Sequence, residues 1–401
     1  MVKNILVMPG TYWVIALCKR IKELGHRVLL VDPNLNCPCK EFADEFLQSD
    51  IFAWDKVLTF AKEKKADAVM SDECDIAMPM VSRLGEKLGF SVQSSSIVAY
   101  FTDKFLMREF CRKHGLKCPE YKLCKTKEEV VDFYKALNHS IIIKPLDSNA
   151  SHGVFKIESV EDIEKHFDET VFFSRGEKAV LAERYIVGRE FTIDGIKTKN
   201  HYYTLAISKK DHYKHNPSIA NELYFSYDDP EYDYEKLRRV NAAYIMASGL
   251  EYGFTHAEYK FEDGEYYLIE IAARGGGNMM SSLIMQYLSG FQTYDFLINA
   301  ALGEVDDIDF SVRDEYKSRC AVLKFFDAPM GGGTVKGIKG EDYLKKSLAI
   351  KEYQFHFEVG DFIGDCLNDS ARIGFYIAGT ESREELDNVI REVEKNFAII
   401  V

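Results

Sequence analysis

Two glutamates, Glu258 and Glu270, stand on either side of a short turn, and together they could bind a metal ion. The runs that flank the turn, 254–261 and 265–271, are rich in aromatic and β-branched residues, which is typical of a β-hairpin. A three-residue loop would pair Glu258 with Leu268. The two glutamates would then share one face as diagonal neighbours, roughly 7–8 Å apart. Such a pair suits Mg²⁺, which prefers oxygen ligands and often retains substrate phosphates in its shell.

The length of the loop decides this geometry. A two-residue loop of Asp263 and Gly264 would put the glutamates on opposite faces of the hairpin and remove the site. Arg274 follows four residues after Glu270, and the glycines 275–277 come next, where bare backbone can approach an anion closely. Carboxylates, a guanidinium and exposed backbone together predict metal-assisted chemistry on a phosphate.

A lysine at the end of a buried-type strand is a second candidate for phosphate binding. The strand 140–144 ends at Lys144, and Pro145 keeps that lysine in an extended conformation. The small polar residues 146–153 follow and offer backbone N–H and hydroxyl donors, which suits a polyphosphate. A surface hairpin with a solvated lysine is the alternative.

The segment 181–194 has the pattern of two strands joined by a hinge. Glu183 lies on the first strand, Gly188 marks the turn, and Glu190 begins the second strand. The backbone of such a hinge could bind the edge of an adenine while a carboxylate binds ribose hydroxyls. An ordinary solvated hairpin remains open as the alternative.

Length and charge limit the protein classes to consider. The chain has 401 residues, so two or three domains are expected. Its net charge is −13, which argues against broad attraction to nucleic acid or an anionic membrane. It shows no signal peptide and no segment of transmembrane length, so a cytoplasmic protein is expected.

The elements of the first hundred residues predict a parallel sheet. Strand patterns at 4–8, 27–31 and 66–70 alternate with helical patterns, which favours an α/β domain with crossover helices. Asp32 closes the second strand, like the ribose-binding acid of dinucleotide folds. The first turn contains only Gly10, however, and no Gly-x-Gly-x-x-Gly, so a dehydrogenase is a poor interpretation.

The rest of the chain predicts a mixed architecture. Helices are expected at 101–113, 127–137 and 234–249, and strands are expected to dominate from 140 to 207. Beyond residue 305 the sequence predicts several strands and a C-terminal helix capped by Ser382.

The order of these motifs resembles the ATP-grasp superfamily, and within it the carboxylate–amine ligases, which are related to biotin carboxylases and L-amino acid ligases. Asp103-Lys104 at a helix start, Lys144-Pro145, Glu183 to Glu190, and the two metal glutamates follow one another as in that superfamily. The resemblance implies α/β and α+β folds. It implies a Rossmann-like pre-ATP-grasp domain at 1–100, a first lobe with the ATP lid at 101–190, a second lobe with the metal site at 191–304, and a mixed C-terminal domain at 305–401.

The resemblance also implies a role for each candidate residue. Lys104 and Lys144 would neutralise ATP phosphates, and Glu258 and Glu270 would hold Mg²⁺ or Mn²⁺. Arg274 would be the catalytic residue that stabilises charge during phosphoryl transfer. The adenine and ribose contacts would come from Glu183, Tyr185, Ile186 and Glu190.

The chain departs from the family pattern in ways that leave parts of the site open. Ala272 stands where family members often have a metal-binding Asn, so water or Asn278 would have to compensate. His212 and Lys214 are candidates for contact with substrate or the γ-phosphate, with a solvated loop as the alternative. His256 is expected to orient Glu258 or to fill a packing role. The glycines 331–333 are expected to form either a turn or a lid.

The predicted function is an ADP-forming ligase that joins a small carboxylate to an amine through an acyl phosphate. Two alternatives stay open, a carboxylase that activates bicarbonate and a sensor that binds ATP without turnover. The expected partners are small-molecule carboxylate and amine substrates, with neither nucleic acid nor membrane. Family members are often dimers, so a homodimer is one expectation. The sequence does not identify the acid or the amine.

Overall fold

The computed structural model describes residues 1–147, 152–174, 176–304, 307–366 and 368–401. Half of the loop expected to follow Lys144, residues 148–151 of 146–153, therefore lies outside the described residues. No helix among those described is long and apolar enough to cross a membrane. The cytoplasmic location stays a prediction.

The first region is a parallel sheet flanked by helices, as the sequence predicts. Its elements in chain order are β1 (Asn4–Val7), α1 (Ile15–Glu23), β2 (Arg27–Asp32), β3 (Glu45–Gln48), α2 (Trp54–Glu63), β4 (Ala68–Met70), α3 (Met78–Leu88) and α4 (Ser95–Thr102). The strand order is β3-β2-β1-β4 and every pair is parallel. Strands β1, β2 and β4 are buried on both faces, which explains their nearly continuous apolar sequence.

The helix expected at 101–113 is interrupted. Asp103 has an extended conformation between α4 and α5 (Lys104–His114), and its Oδ1 accepts a hydrogen bond from the N–H of Leu106 at 2.9 Å. This N-cap fixes where α5 begins and places Lys104 at its first position. Gly115 ends α5 in the left-handed conformation, as expected.

The second region is a small antiparallel sheet covered by two helices. Its elements are β5 (Tyr121–Cys124), α6 (Lys127–Leu137), β6 (Ile141–Pro145), β7 (Phe155–Ile157), α7 (Val160–Phe173) and β8 (Val180–Arg184). The strand order is β5-β8-β6-β7. The prediction that strands dominate here is wrong for α7, which begins with a capping box between Ser159 and Asp162.

The third region is a long antiparallel sheet that carries most of the candidate site. Its elements are β9 (Arg189–Lys197), β10 (Tyr202–Tyr213), β11 (Asn216–Ser226), α8 (Tyr234–Ser248), β12 (Gly253–Glu262), β13 (Glu265–Ala272), α9 (Met285–Ser289), α10 (Thr293–Ala301), α11 (Asp314–Lys317), β14 (Cys320–Phe325), β15 (Gly333–Thr334), β16 (Gly337–Lys339), α12 (Glu341–Lys346), β17 (Ile350–Phe355), β18 (Phe362–Ile363), β19 (Gly374–Thr380), α13 (Arg383–Asn396) and β20 (Ala398–Ile400). The main sheet has the order β13-β12-β9-β10-β11-β14-β19-β17.

This sheet continues across the predicted boundary at 304. Strands β14, β19 and β17 come from the C-terminal part of the chain: β14 pairs with β11, β19 with β14, and β17 with β19. The C-terminal part therefore shares a sheet with the predicted second lobe. The domain limits themselves stay a prediction.

Candidate active site

The turn between the two metal-site strands is shorter than predicted. Asp263 and Gly264 form a two-residue loop with φ of 51° and 80°, and Glu262 pairs with Glu265. Positive φ at both positions is the requirement of a type I′ hairpin turn, which Asp-Gly satisfies well. The prediction of a three-residue loop is wrong.

A β-bulge restores the geometry that the short loop would otherwise destroy. Tyr259 pairs with Leu268, but the next pair is Glu258 with Glu270, so Ile269 is the extra residue on β13. Glu258 and Glu270 are therefore directly opposite each other on one face. Such pairs have Cβ atoms about 4.5–5.5 Å apart. The predicted common face is confirmed, although a different local structure produces it.

Arg108 connects this bulge to the second region. Its Nη2 donates a hydrogen bond to the carbonyl of Ile269, and its Nε lies 2.6 Å from Oε1 of Glu183. The other oxygen of Glu183 lies 2.7 Å from Nζ of Lys144. The Glu183 side chain is only 1% exposed. The contacts favour a role for Glu183 in holding Lys144 over a direct contact with nucleotide.

Burial and charge set the ionisation of this closed cluster. Burial would raise the pKa of Glu183, but Arg108 and Lys144 together lower it below its usual value. Burial lowers the pKa of Lys144 to about 8, although Glu183 opposes the change. Lys144 is therefore charged at neutral pH and loses its proton at moderately alkaline pH.

Glu270 pairs with the lysine at the start of α5. Nζ of Lys104 lies 2.7 Å from Oε1 of Glu270, and the exposed fractions of the two side chains are 8% and 41%. Burial would lower the pKa of Lys104, but the carboxylate of Glu270 raises it. The N-cap at Asp103 thus delivers a charged lysine to one of the two metal-site glutamates.

Glu258 belongs to a second, more open cluster. Nζ of Lys210 lies 2.5 Å from Oε1 of Glu258 and 2.7 Å from Oε1 of Glu190. Nε2 of His256 lies 3.7 Å from Glu258, and its Nδ1 lies 2.8 Å from Oδ1 of Asp194. His256 therefore lies between two carboxylates, which fits the expectation that it orients Glu258.

The groups of this open cluster are ionised at neutral pH. Burial would raise the pKa of Glu258, but Lys210 and His256 hold it well below its usual value. Burial would likewise raise the pKa of Glu190, which Lys210 and His212 lower to about 2. Burial lowers the pKa of His256, but Asp194 raises it, with a result of about 9.

Arg274 is fixed by a residue from the first region. Its Nε lies 2.8 Å from Oδ1 of Asp75, and its Nη2 bonds to Oδ2 of the same carboxylate. Burial would raise the pKa of Asp75, and Arg274 lowers it. The bidentate pair fixes the plane of the guanidinium beside the two glutamates.

The three glycines after Arg274 have different surroundings. A Cβ at Gly275 would lie 1.8 Å from Oγ of Ser281, and the N–H of Gly275 donates to Asp72 at 2.9 Å. A Cβ at Gly276 would lie 2.8 Å from Nδ1 of His256, whereas a Cβ at Gly277 would meet nothing within 4 Å. The first two glycines therefore permit internal packing, and only Gly277 leaves its backbone open to a ligand.

Two cavities lie beside the paired glutamates. The first, of about 300 Å³, is lined by Glu190, Thr192, Lys210, His212, Ala220, Leu223, His256, Glu258, Arg274, Gly277, Asn278, Met280, Leu323, Phe325, Asp369 and Arg372. The second, of about 340 Å³, is lined by Phe52, Asp75, Ile76, Pro79, Phe101, Thr102, Asp103, Lys104, Asp147 and Glu270. Both volumes are in the range of small-molecule sites. Glu258 opens to the first cavity and Glu270 to the second.

The remaining candidates are divided between this site and other places. His212 lies 3.4 Å from Glu190 and Asn278 lines the first cavity, so both belong to the site. Lys214 and Gly331 line a different cavity of about 490 Å³. Gly333 begins β15, which pairs with β18, and Gly331 and Gly332 lie in the turn before it, where the N–H of Gly332 donates to the carbonyl of Pro329 at 2.8 Å.

The hinge segment packs against the end of β12. The N–H of Tyr185 donates to the carbonyl of Ser140 at 3.0 Å, and Ile186 is buried. The N–H of Val187 donates to Glu262 at 2.7 Å. These contacts hold the hinge at the junction of the second and third regions, near the end of β8 that carries Glu183.

The donor set fits Mg²⁺ only with help from a ligand. No group of three or more His, Cys, Asp and Glu side chains in the described part of the chain could hold a metal ion. Glu258 and Glu270 offer carboxylate oxygens from one face, and Ala272 is buried and adds no donor. Mg²⁺ in such sites is bound by one or two carboxylates together with substrate phosphates and water.

Sequence reasoning missed several residues of the site. Arg108 follows Lys104 by four positions on the same face of α5, a spacing that could have identified it. Lys210 could not be singled out because the segment 209–215 contains several lysines and histidines. Asp75 and Arg372 come from distant parts of the chain, and no local pattern indicates that they meet the site.

Comparison with known proteins supports the predicted family. Residues 137–282 match the ATP-grasp domain, and residues 326–401 match the L-amino acid ligase C-terminal domain 2. Dapdiamide A synthase of Enterobacter agglomerans is 22% identical over 74% of this chain and 71% of its own length. The L-arginine-specific L-amino acid ligase of Bacillus subtilis is 20% identical over the same shares of the two chains.

A solved structure gives the same result for the fold. The L-amino acid ligase from Bacillus licheniformis superposes with a TM-score of 0.83 at 21% identity, over 99% of this chain and 98% of that one. The predicted fold class is confirmed, and so is the predicted class of enzyme, an ATP-grasp carboxylate–amine ligase.

Proposed function

We propose that this chain, an ATP-grasp protein, activates the carboxylate of an amino acid as an acyl phosphate and joins it to an amine, with release of ADP and phosphate. The observation that carries the proposal is the direct pair of Glu258 and Glu270 between two cavities, with cations on either side. The names of the relatives, which include L-amino acid ligases, support an amino acid as the carboxylate substrate.

The cations of the site suit a nucleoside triphosphate. Lys104 and Lys144 would bind phosphates, and the two carboxylates that now pair with them would keep them in place before the nucleotide arrives. The hinge at Tyr185 and Ile186 would contact the adenine, and Glu190 the ribose. Glu183 would act indirectly, because both of its oxygens already bind Arg108 and Lys144.

Glu258 and Glu270 would hold Mg²⁺, which when bound neutralises phosphate charge. For that, Lys210 and Lys104 would have to leave the carboxylates with which they pair. Arg274 lies beside this place with its guanidinium plane fixed by Asp75, so it can stabilise the charge that develops on the transferred phosphoryl group without reorganisation. Asn278 lines the same cavity and is one further oxygen donor there.

The chemistry needs no protein nucleophile. A carboxylate oxygen of the substrate attacks the γ-phosphorus, and ADP leaves. The amine then attacks the acyl carbon, and phosphate leaves with the oxygen that came from the carboxylate, while the amine gives up one proton. Positioning and electrostatics supply most of the catalysis in such a transfer.

The proposal is tested by following ¹⁸O from the substrate carboxylate into the released phosphate. Pairs of amino acids are screened for ADP release, and the active carboxylate is then labelled with ¹⁸O on both oxygens. We expect one ¹⁸O atom in phosphate for each amide formed. AMP as the product would contradict the proposal, and so would ADP release that needs bicarbonate in place of an amino acid. ATP binding with no release for any pair would favour a sensor.

A further inference from the structure

The cavity that contains Glu258 has a second cationic group far from the metal-site carboxylates. We propose that this group, Arg372, binds the carboxylate of the amine substrate and so makes the enzyme selective for amines that carry a carboxylate. The inference rests on the proposed function, which supplies the amine. It assigns a binding role to the C-terminal part of the chain.

Arg372 is held on three sides. Its guanidinium carbon lies 3.7 Å from the centre of the Phe325 ring. Its Nη2 donates to the carbonyl of Ala220 at 2.8 Å and lies 2.7 Å from Oδ1 of Asp369. The side chain is 14% exposed. A guanidinium fixed in this way loses little entropy when it binds a ligand.

The guanidinium still has donors to offer. Arginine carries five N–H donors in a planar fork, and the contacts to Ala220 and Asp369 both use Nη2. Its Nε is buried with no hydrogen-bond partner among the described residues. Both hydrogens of Nη2 are therefore taken and Nε is buried away from the cavity, so the donors that remain for a ligand are those of Nη1. A carboxylate can accept a charge-assisted hydrogen bond from Nη1.

The position of Arg372 separates it from the phosphate chemistry. Ala220 is on β11 and Glu258 is on β12, with β9 and β10 between them, so the strands are roughly 14 Å apart across the sheet. The side chains of Glu258 and Arg372 both reach into the cavity. The space left suits a small molecule with its amine near Arg274 and its carboxylate at Arg372.

The surroundings of Arg372 favour one carboxylate over a polyphosphate. Asp369 already balances one positive charge there. The neighbouring wall is apolar, with Leu223, Leu323 and Phe325. A single carboxylate on a short apolar body complements this arrangement, whereas a triphosphate would need further cations.

The experiment compares each L-amino acid with its α-amide as the amine substrate. The α-amide of an amino acid with a neutral side chain has no carboxylate to activate, so it can act only as the amine, and the comparison is made with such amino acids. For the natural chain we expect kcat/KM for ADP release to be about 30-fold higher with the acid than with the amide. We expect Arg372→Gln to lower the value for the acid by about the same factor and to leave the value for the amide within about threefold.

Two further variants complete the design. Arg372→Lys keeps a charge and should recover part of the preference, because an ammonium can still bind a carboxylate but is not held in place as the guanidinium is. Arg383→Gln is the matched control, since Arg383 begins α13 and is not among the residues that line this cavity. The melting temperature and the Kd for ADP show whether each variant is folded.

The outcomes separate the inference from the proposed function. Equal use of acids and amides by the natural chain would overturn the inference, and so would an Arg372→Gln variant that loses both activities equally. An Arg372→Gln variant that does not fold leaves the comparison in the natural chain and in Arg372→Lys to decide. If no pair of acid and amine gave ADP release, both the proposed function and the inference would be refuted.

Discussion

Two carboxylates of this molecule, Glu183 and Glu258, each lie between two cations, yet they differ in their access to ligands. Glu183 is closed between Arg108 and Lys144, and its side chain is 1% exposed. Glu258 has Lys210 and His256 as partners, is 26% exposed and lines a cavity. The same pattern of charges therefore occurs once in a closed setting and once in an open one.

The difference indicates which group is scaffold and which is site. In the closed cluster every contact of Glu183 supports another element, since Arg108 also holds the bulge at Ile269. In the open cluster Lys210 also binds Glu190, and His256 also binds Asp194, so neither would be left without a partner if Glu258 bound a ligand. A carboxylate can turn to a metal ion at low cost when each cation that pairs with it also pairs with a second carboxylate.

The largest effect is expected from breaking the closed cluster. Glu183→Ala leaves two buried cations without their anion and should lower the free energy of unfolding by about 3–5 kcal/mol. Glu258→Ala is the matched control and should cost about 1 kcal/mol or less, because its partners keep other anions. Urea unfolding measures both. Equal losses for the two variants would remove the distinction between scaffold and site.

Glu270, the second carboxylate proposed to hold the metal, should respond in activity instead. Glu270→Ala should lower turnover by about 10²–10³-fold in a chain that still folds, because it removes one of the two carboxylates proposed to hold the metal. Glu265→Ala on the same strand is the control, since Glu265 pairs only with Lys236 at the surface in the described contacts. Turnover of Glu270→Ala near that of the natural chain would exclude the metal role.

The glycines after Arg274 offer the same comparison between a closed position and an open one, with a smaller expected effect. Gly275→Ala forces a Cβ against Ser281 and should cost about 1–3 kcal/mol of stability. Gly277→Ala meets no neighbour within 4 Å and should change stability by less than about 0.5 kcal/mol. Thermal unfolding of the two variants decides. A stable Gly275→Ala protein would show that this segment is not packed as described.

The smallest effect is a pH dependence of nucleotide binding. Lys144 has a lowered pKa of about 8, so it is charged below that pH and neutral above it. The Kd for ADP should rise by up to about twofold from pH 7 to 8 and by up to about tenfold from pH 7 to 9. Lys144→Arg stays charged and should give a flat profile. A natural profile as flat as that of the variant would place Lys144 away from the phosphates.

The sequence predicts the strands of the site better than their connections. Glu258 and Glu270 share a face as expected, but the expected three-residue loop is replaced by a tight turn and a bulge at Ile269. The loop is one residue shorter than predicted and the bulge adds one unpredicted residue to β13, so the two errors in register cancel. A bulge depends on what binds its carbonyl, here Arg108 from another region, and local patterns carry no signal for that contact.

Contacts between residues far apart in the sequence could not be predicted either, because local patterns carry no signal for them. Asp75 and Arg274 are 199 positions apart, and the C-terminal strands that bring Arg372 to the cavity join the main sheet through β14 and β19. By contrast, helix α7 was missed although its capping box at Ser159 and Asp162 is visible in the sequence. The resemblance to a family predicted the roles of the site residues, whereas the residues that contact them could be identified only from the structure.

The most direct measurement is a crystal structure with Mg²⁺ and a triphosphate analogue that cannot be hydrolysed. We predict an ion about 2.1 Å from a carboxylate oxygen of Glu258 and of Glu270, with Lys210 and Lys104 moved from those carboxylates. An ion bound elsewhere, with both lysines still paired to the glutamates as they are here, would contradict the account.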